Sequence, residues 1–124
     1  MYLLDTHTLL WYLEENAQLS PKVKKLIEHR ICFVHIASFW EIAIKVSIGK
    51  LALTYTIDQM IAQLRKEAIT ILPISEKAIE VVKTLPLHHR DPFDRLLIAE
   101  AITQNYILLS IDIQIDPYPV QRIW

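Results

Sequence analysis

Apolar positions along the chain switch repeatedly between a strand-like run and a helical period, and the switches mark out a series of elements. Tyr2-Leu3-Leu4 is a short apolar run that reads as a strand, and Thr6-His7-Thr8 reads as a polar turn after it. Residues 9–15 predict a short helix. Ser20-Pro21 then supplies an N-cap with proline at the first helical position, opening a helix to about His29. Val23, Leu26 and Ile27 form its apolar face, and Lys22, Lys24 and Lys25 its wet side. Residues 31–36 are β-branched and aromatic, as in a strand. A helix is predicted from Phe39 to about Ile48, capped by Ser38 and stopped by Gly49.

The second half repeats the alternation. Ile57, Met60, Ile61 and Leu64 keep a helical period over 56–67, with Thr56 as cap, and residues 69–74 read as a strand. Ser75-Glu76-Lys77 opens a helix carrying Ala78, Ile79, Val82 and Leu85, which Pro86 stops. After the polar loop His88-His89-Arg90-Asp91-Pro92, a helix from Phe93 to about Gln104 is apolar on most sides, as expected of one buried against a sheet. Asp91 suits its cap and Pro92 its first turn. Strands are predicted over 106–109 and 120–124. Strands alternating with helices require parallel crossovers, so the expected fold is α/β, a three-layer α/β/α sandwich with a mostly parallel, roughly five-stranded sheet.

Composition narrows the possibilities. A chain of 124 residues, 52% apolar, fits one domain over 1–124, with no linker, repeat or low-complexity segment. A single glycine argues against Gly-rich phosphate loops. No apolar run approaches the roughly 20 residues that span a bilayer, and no signal-peptide pattern opens the chain, so no membrane partner is expected. Cys32, the only cysteine, excludes an internal disulfide and a Cys-based zinc site. It reads as a buried bystander in a reducing cytoplasm. The net charge of −1 does not announce a nucleic-acid binder. If four acids gather around a metal, however, the rest of the chain is net positive, so a nucleic-acid substrate stays open.

Four carboxylates occupy informative places. Asp5 and Asp112 each follow a predicted strand, while Glu41 and Asp94 fall in the first turns of predicted helices, where the helix dipole favours negative charge. In a parallel sheet those places share one edge, the carboxyl edge that holds ligand crevices. Four such acids repel one another unless a cation neutralises them, and oxygen ligands without cysteine suit Mg²⁺ or Mn²⁺. Metal-dependent phosphodiester hydrolysis is the reaction class that fits.

Each acid has a plainer reading beside this one. Asp5 suits the cap of the first helix. Glu41 stands four residues before Lys45, a surface pair worth about 0.3–0.5 kcal/mol. One of Asp91 and Asp94 needs to be no more than a cap. Asp112 is compatible with an ordinary turn, the role expected of Asp116 before Pro117. His89-Arg90-Asp91 matches the start of a protein-kinase catalytic loop, but Leu96 stands where that loop needs asparagine. A haloacid-dehalogenase-like phosphatase needs a second aspartate two residues after Asp5, and His7 stands there.

At these residues the sequence resembles the PIN-domain family, and within it the VapC-type toxins of bacterial toxin–antitoxin pairs. The stretches that carry the resemblance are Leu4-Asp5-Thr6-His7-Thr8-Leu9-Leu10-Trp11 and Ser38-Phe39-Trp40-Glu41-Ile42-Ala43-Ile44-Lys45. His89-Arg90-Asp91-Pro92-Phe93-Asp94-Arg95-Leu96-Leu97-Ile98-Ala99 and Leu108-Leu109-Ser110-Ile111-Asp112 complete the set. The resemblance implies a Mg²⁺- or Mn²⁺-dependent endoribonuclease in which Asp5, Glu41, Asp94 and Asp112 hold the metal and a metal-activated water attacks RNA. It implies a homodimer and a cognate antitoxin that covers the site. Ser110, where the family often has threonine, and Thr6 would touch metal-bound water, with Asp91 at the rim.

Candidates for phosphate contacts are His88, His89, Arg90, Arg95 and Lys45; for Arg95 and Lys45 the alternative is ion pairing with the acids themselves. His7 reads as a locally hydrogen-bonded helix-start residue or a substrate contact. Trp11, Trp40 and Trp124 read as core or dimer contacts ahead of base-stacking platforms. Two other functions stay open from sequence: a catalytically silent PIN-fold binding module, and a PIN nuclease acting in RNA maturation or on DNA.

Overall fold

The computed structural model describes residues 1–124. Five strands form one sheet: β1 (Tyr2–Leu4), β2 (Cys32–His35), β3 (Thr70–Leu72), β4 (Ile107–Leu109) and β5 (Arg122–Ile123). Their order is β3-β2-β1-β4-β5, and every neighbouring pair is parallel. The expected sandwich is the observed one, with the sheet parallel throughout.

Six α-helices complete the layers: α1 (Thr6–Leu13), α2 (Pro21–His29), α3 (Ile36–Ser47), α4 (Ile57–Lys66), α5 (Glu76–Thr84) and α6 (Pro92–Gln104). Because side chains alternate along a strand, Leu3 and Leu4 feed opposite faces, as do Leu108 and Leu109. Leu4 and Leu109 join Leu9, Val23, Ile27, Phe39, Ile42, Met60 and Leu64 in the larger core beneath α1 to α4. Leu3 and Leu108 pack with Leu97, Ile98 and Ala101 of α6 and with Ile115 and Tyr118. Each fully buried leucine here contributes about 1.5–3 kcal/mol. Cys32 is buried and free in the larger core.

Several helix ends follow sequence signals. Ser20, Thr56 and Ser75 cap α2, α4 and α5 through their hydroxyls. Gly49 lies just past α3 with φ +74°, a conformation in which a Cβ is penalised. No helix is long and apolar enough to cross a membrane.

Two helix starts correct the sequence reading, and both matter for the site. α1 begins at Thr6, not Leu9, because the Asp5 carboxylate accepts the Thr8 N–H at 2.8 Å and caps the turn. α3 begins at Ile36, with His35 in place of Ser38 as its cap; His35 Nδ1 accepts the Ala37 N–H at 3.1 Å. Glu41 therefore sits in the second turn of α3, and Ser38 is released to face inward.

Candidate active site

The strand order places β1 between β2 and β4, so the chain reverses its direction of sheet growth at β1. In open α/β sheets the ligand crevice lies outside the carboxyl ends of the strands at such a reversal. Asp5 follows β1 directly, and Ser110 and Asp112 follow β4. α3 leaves the end of β2 at the same edge, bringing Glu41, and α6 starts there, bringing Asp94.

Asp5 is 4% exposed. Burial pushes its carboxyl pKa up, opposed by hydrogen bonds from Ser110 and Thr8. The cap reading holds for it, since one oxygen takes the Thr8 N–H. Thr6 Oγ1 lies 2.7 Å from Glu41 Oε1 and 3.0 Å from Ser38 Oγ, which ties the start of α1 to α3. Lys45 Nζ, half-exposed, closes on Glu41 Oε2 at 2.7 Å, the i,i+4 pair anticipated from sequence. Ser110 is fully buried, and its Oγ also accepts the Asp112 N–H at 3.0 Å.

Asp94 reports how the acids sit. Its pKa is pushed up to about 8, first by burial and then by the negative charges of Asp91, Asp5, Glu41 and Asp112. The charges of Asp5, Glu41 and Asp112 all act on Asp94, and Asp94 and Asp112 share the His89 ring. Asp91 is the cap of α6, its Oδ1 accepting the Phe93 and Asp94 N–H groups at 2.9 and 3.0 Å. Against this set stand Lys45 on Glu41 and Arg122, which feels the charge of Asp112 while it pairs with Asp116. A carboxylate cluster with surplus negative charge fits a divalent cation, and its oxygen donors fit Mg²⁺ or Mn²⁺.

The profile of the PIN domain matches residues 2–119. The chain belongs to the PIN-domain family. No curated protein matches the sequence significantly. Among solved structures, this PIN domain is similar to VapBC2 from Rickettsia felis, solved bound to a DNA fragment from their promoter. That likeness has 16% identity and a TM-score of 0.70, covering 98% of this chain and 96% of the other. FitAcB from Neisseria gonorrhoeae is similar too, at 16% identity and TM-score 0.67, over 100% and 97% of the two chains. At such identities the likeness establishes the fold.

Other residues singled out from sequence fall away from the acids of this PIN domain. Arg95 was expected on phosphate or on a carboxylate; its guanidinium instead donates to the carbonyls of Val82, Leu85, Pro86 and His89 at 2.9–3.4 Å. It ties the end of α5 and the following loop to α6, which is a correction to both readings. Arg90 is exposed on that loop. His7 is exposed and packs on Trp11, with ring centroids 5.7 Å apart. Asp116 pairs with Arg122 at 2.7 Å. Trp11 and Trp124 pack against the larger core. Trp40 is 61% exposed and meets Phe93 edge-on at 5.3 Å.

The residue that sequence reasoning misplaced is His89. Expected to reach outward to phosphate, it is 5% exposed and turned onto the acids, Nε2 at 2.6 Å from Asp112 Oδ2 and 3.2 Å from Asp94 Oδ2. A histidine in a polar loop carries no periodic signal of burial. Its anchors, Tyr118 and Arg95, are distant or unremarkable in sequence. A third buried acid, Glu100, has a different setting: its Oε1 accepts the Ser75 N–H at 2.9 Å and faces His35 Nε2 at 3.5 Å.

Proposed function

We propose that this PIN domain is a Mg²⁺- or Mn²⁺-dependent endoribonuclease of the VapC toxin kind, residues 1–124 acting as one nuclease domain in the cytoplasm. Asp5, Glu41, Asp94 and Asp112 hold the metal. The observation that supports the reading is the placement of these acids along the carboxyl edge of the sheet, with the Asp94 pKa pushed up to about 8 first by burial and then by the charges of its neighbours. A divalent ion bound there supplies a Lewis acid that offsets phosphodiester charge and lowers the pKa of water.

The chain's own groups prepare that chemistry. Thr6 fixes one oxygen of Glu41 and Lys45 the other. Ser110 accepts the Asp112 N–H and opposes the burial-driven rise in the Asp5 pKa, so one hydroxyl acts on both strand-end acids. Arg90, exposed beside His89 and Asp91, contacts the RNA backbone, and Lys45 does so from the far side of Glu41. A phosphate contact positions the chain of nucleotides without reading bases.

An antitoxin covers the crevice, a reading supported by the paired proteins named in the solved relatives. Ile36, Trp40, Ile44 and Ile48 are exposed at four-residue spacing along α3 and just past its end. Such a stripe supports a helical protein contact, and we assign it to a homodimer. The test is cleavage of a single-stranded RNA and of DNA of the same sequence, in millimolar Mn²⁺ and in EDTA. Cleavage of RNA alone, only with metal, and its loss in Asp5→Asn are expected. Equal cutting in EDTA, or full activity in Asp5→Asn, would sink the reading.

A further inference from the structure

Five contacts determine what the His89 ring can do. Its Nδ1 accepts the Asp91 backbone N–H at 3.1 Å, so that nitrogen carries no proton and Nε2 does. Nε2 faces Asp112 Oδ2 at 2.6 Å and Asp94 Oδ2 at 3.2 Å. The His89 backbone N–H donates to the Tyr118 hydroxyl at 2.8 Å, and its carbonyl accepts from Arg95 at 3.1 Å. Tyr118 in turn donates to the Pro86 carbonyl at 2.6 Å. The ring is held from the backbone outward and cannot turn without breaking buried bonds.

His89 Nε2 and one oxygen each of Asp94 and Asp112 lie within 4.8 Å of one another, close enough to enclose an ion. Taken by distance alone, the imidazole is a metal ligand. The hydrogen bonds argue otherwise. A ligating Nε2 must be unprotonated, and Nδ1 already faces a backbone donor that occupies its lone pair. Ligation would leave the ring with no proton on either nitrogen, or force it off the Asp91 N–H.

We propose that His89 is a positioning residue, an Nε2–H donor that clamps Asp94 and Asp112 together and stays outside the metal's ligand set. The proposal rests on the metal reading of the acids. Its consequence is a metal site of oxygen donors only, which keeps the preference for hard cations that an imidazole would shift toward zinc. Asp94 Oδ1 has no protein partner, so it stays open to a cation while Oδ2 is held. Asp112 Oδ1 accepts the Gln114 N–H at 2.9 Å. Both carboxylates are thereby oriented before any cation arrives, as outer-shell donors orient ligands in other metal sites.

The experiment uses full-length protein labelled with ¹⁵N-histidine. Long-range ¹H–¹⁵N NMR of the metal-free and Mg²⁺-loaded forms reads the tautomer, and pulsed EPR of the Mn²⁺-loaded form reads nitrogen bound to the ion. A protonated Nε2 in both NMR spectra and no directly bound ¹⁵N are expected. An unprotonated Nε2, or a bound nitrogen, overturns the clamp. His89→Ala should lower kcat by about 10–100-fold with KM nearly unchanged, and His89→Gln, which restores a donor, should recover much of the loss. Equal activity in His89→Ala and wild type, at equal melting temperature, also overturns it. If wild type binds no Mn²⁺, the metal reading fails separately, and the metal-free tautomer still decides the clamp.

Discussion

Thr6 Oγ1 and Glu41 Oε1 stand 2.7 Å apart across thirty-five positions of sequence, both buried, and this contact locks α1 to α3 at the mouth of the acid crevice. Thr6→Val preserves the volume and removes the donor. It should destabilise the protein by about 1–2 kcal/mol in urea titrations, because a buried carboxylate oxygen loses a partner. Thr6→Ser should be close to wild type. Cleavage should fall in the valine variant only.

Asp94 is an acid whose ionisation the fold resists, through burial and the charges of its neighbours. Asp94→Asn removes a repelled charge while keeping shape, so the metal-free variant should melt at or above the wild-type temperature. Its Mn²⁺-induced rise in melting temperature should shrink, and cleavage should fall by on the order of 100-fold or more. Calorimetry with and without Mn²⁺, beside a cleavage assay, checks both halves.

The same group sets a pH dependence in EDTA. Its folded pKa of about 8 stands above the ordinary 3.8, so the folded state holds a proton that the unfolded chain releases. The stabilising contribution is full below about pH 4, declines as pH rises, and is gone above about pH 8. Asp5, also raised, acts in the same direction. Metal-free melting temperature should therefore drop across that window, and Mn²⁺ should flatten the drop by giving the ionised acids a partner. A melting temperature that rises from pH 5 to 8 in EDTA would contradict this.

Arg95 and Arg90 separate structure from substrate binding. Arg95→Ala strips a charged donor from four backbone carbonyls and should cost about 2–3 kcal/mol of stability. Arg90→Ala should leave the melting temperature unchanged, raise KM for RNA several-fold, and reduce the salt slope of binding by about one.

The α3 stripe makes the last prediction. Trp40→Glu places a charge on a side chain that is 61% exposed in one copy, so folding is spared and association is not. Light scattering should show a dimer for wild type and a monomer for the variant. A dimer in both moves the interface elsewhere.

Much of this was legible in the sequence. The alternation of apolar runs and helical periods marks every strand and helix, and Pro92, Gly49 and the hydroxyl caps announce several ends. The misread starts share a physical cause. Thr6 and Thr8 are polar and so resemble a turn, yet both are buried, Thr8 donating to the Leu109 carbonyl at 2.8 Å. Ser38 looks like a cap because a hydroxyl precedes an apolar run, but a histidine one turn earlier does that work. Polarity in sequence says that a side chain needs a partner, without saying whether the partner is water. For the candidate site, Asp5, Asp94 and Asp112 were visible as strand-end and helix-start positions and Glu41 as an acid in an apolar helix, one turn further in than expected, whereas His89 depended on a tautomer that only three-dimensional contacts define.

The sheet order carries one more consequence. β1 is flanked by β2, formed early in the chain, and by β4, formed near residue 108. Asp5 therefore waits for Ser110 and Asp112 until synthesis has passed β4. Under the proposed activity, a ribosome that stalls before that point releases a fragment with three of the acids and no closed edge.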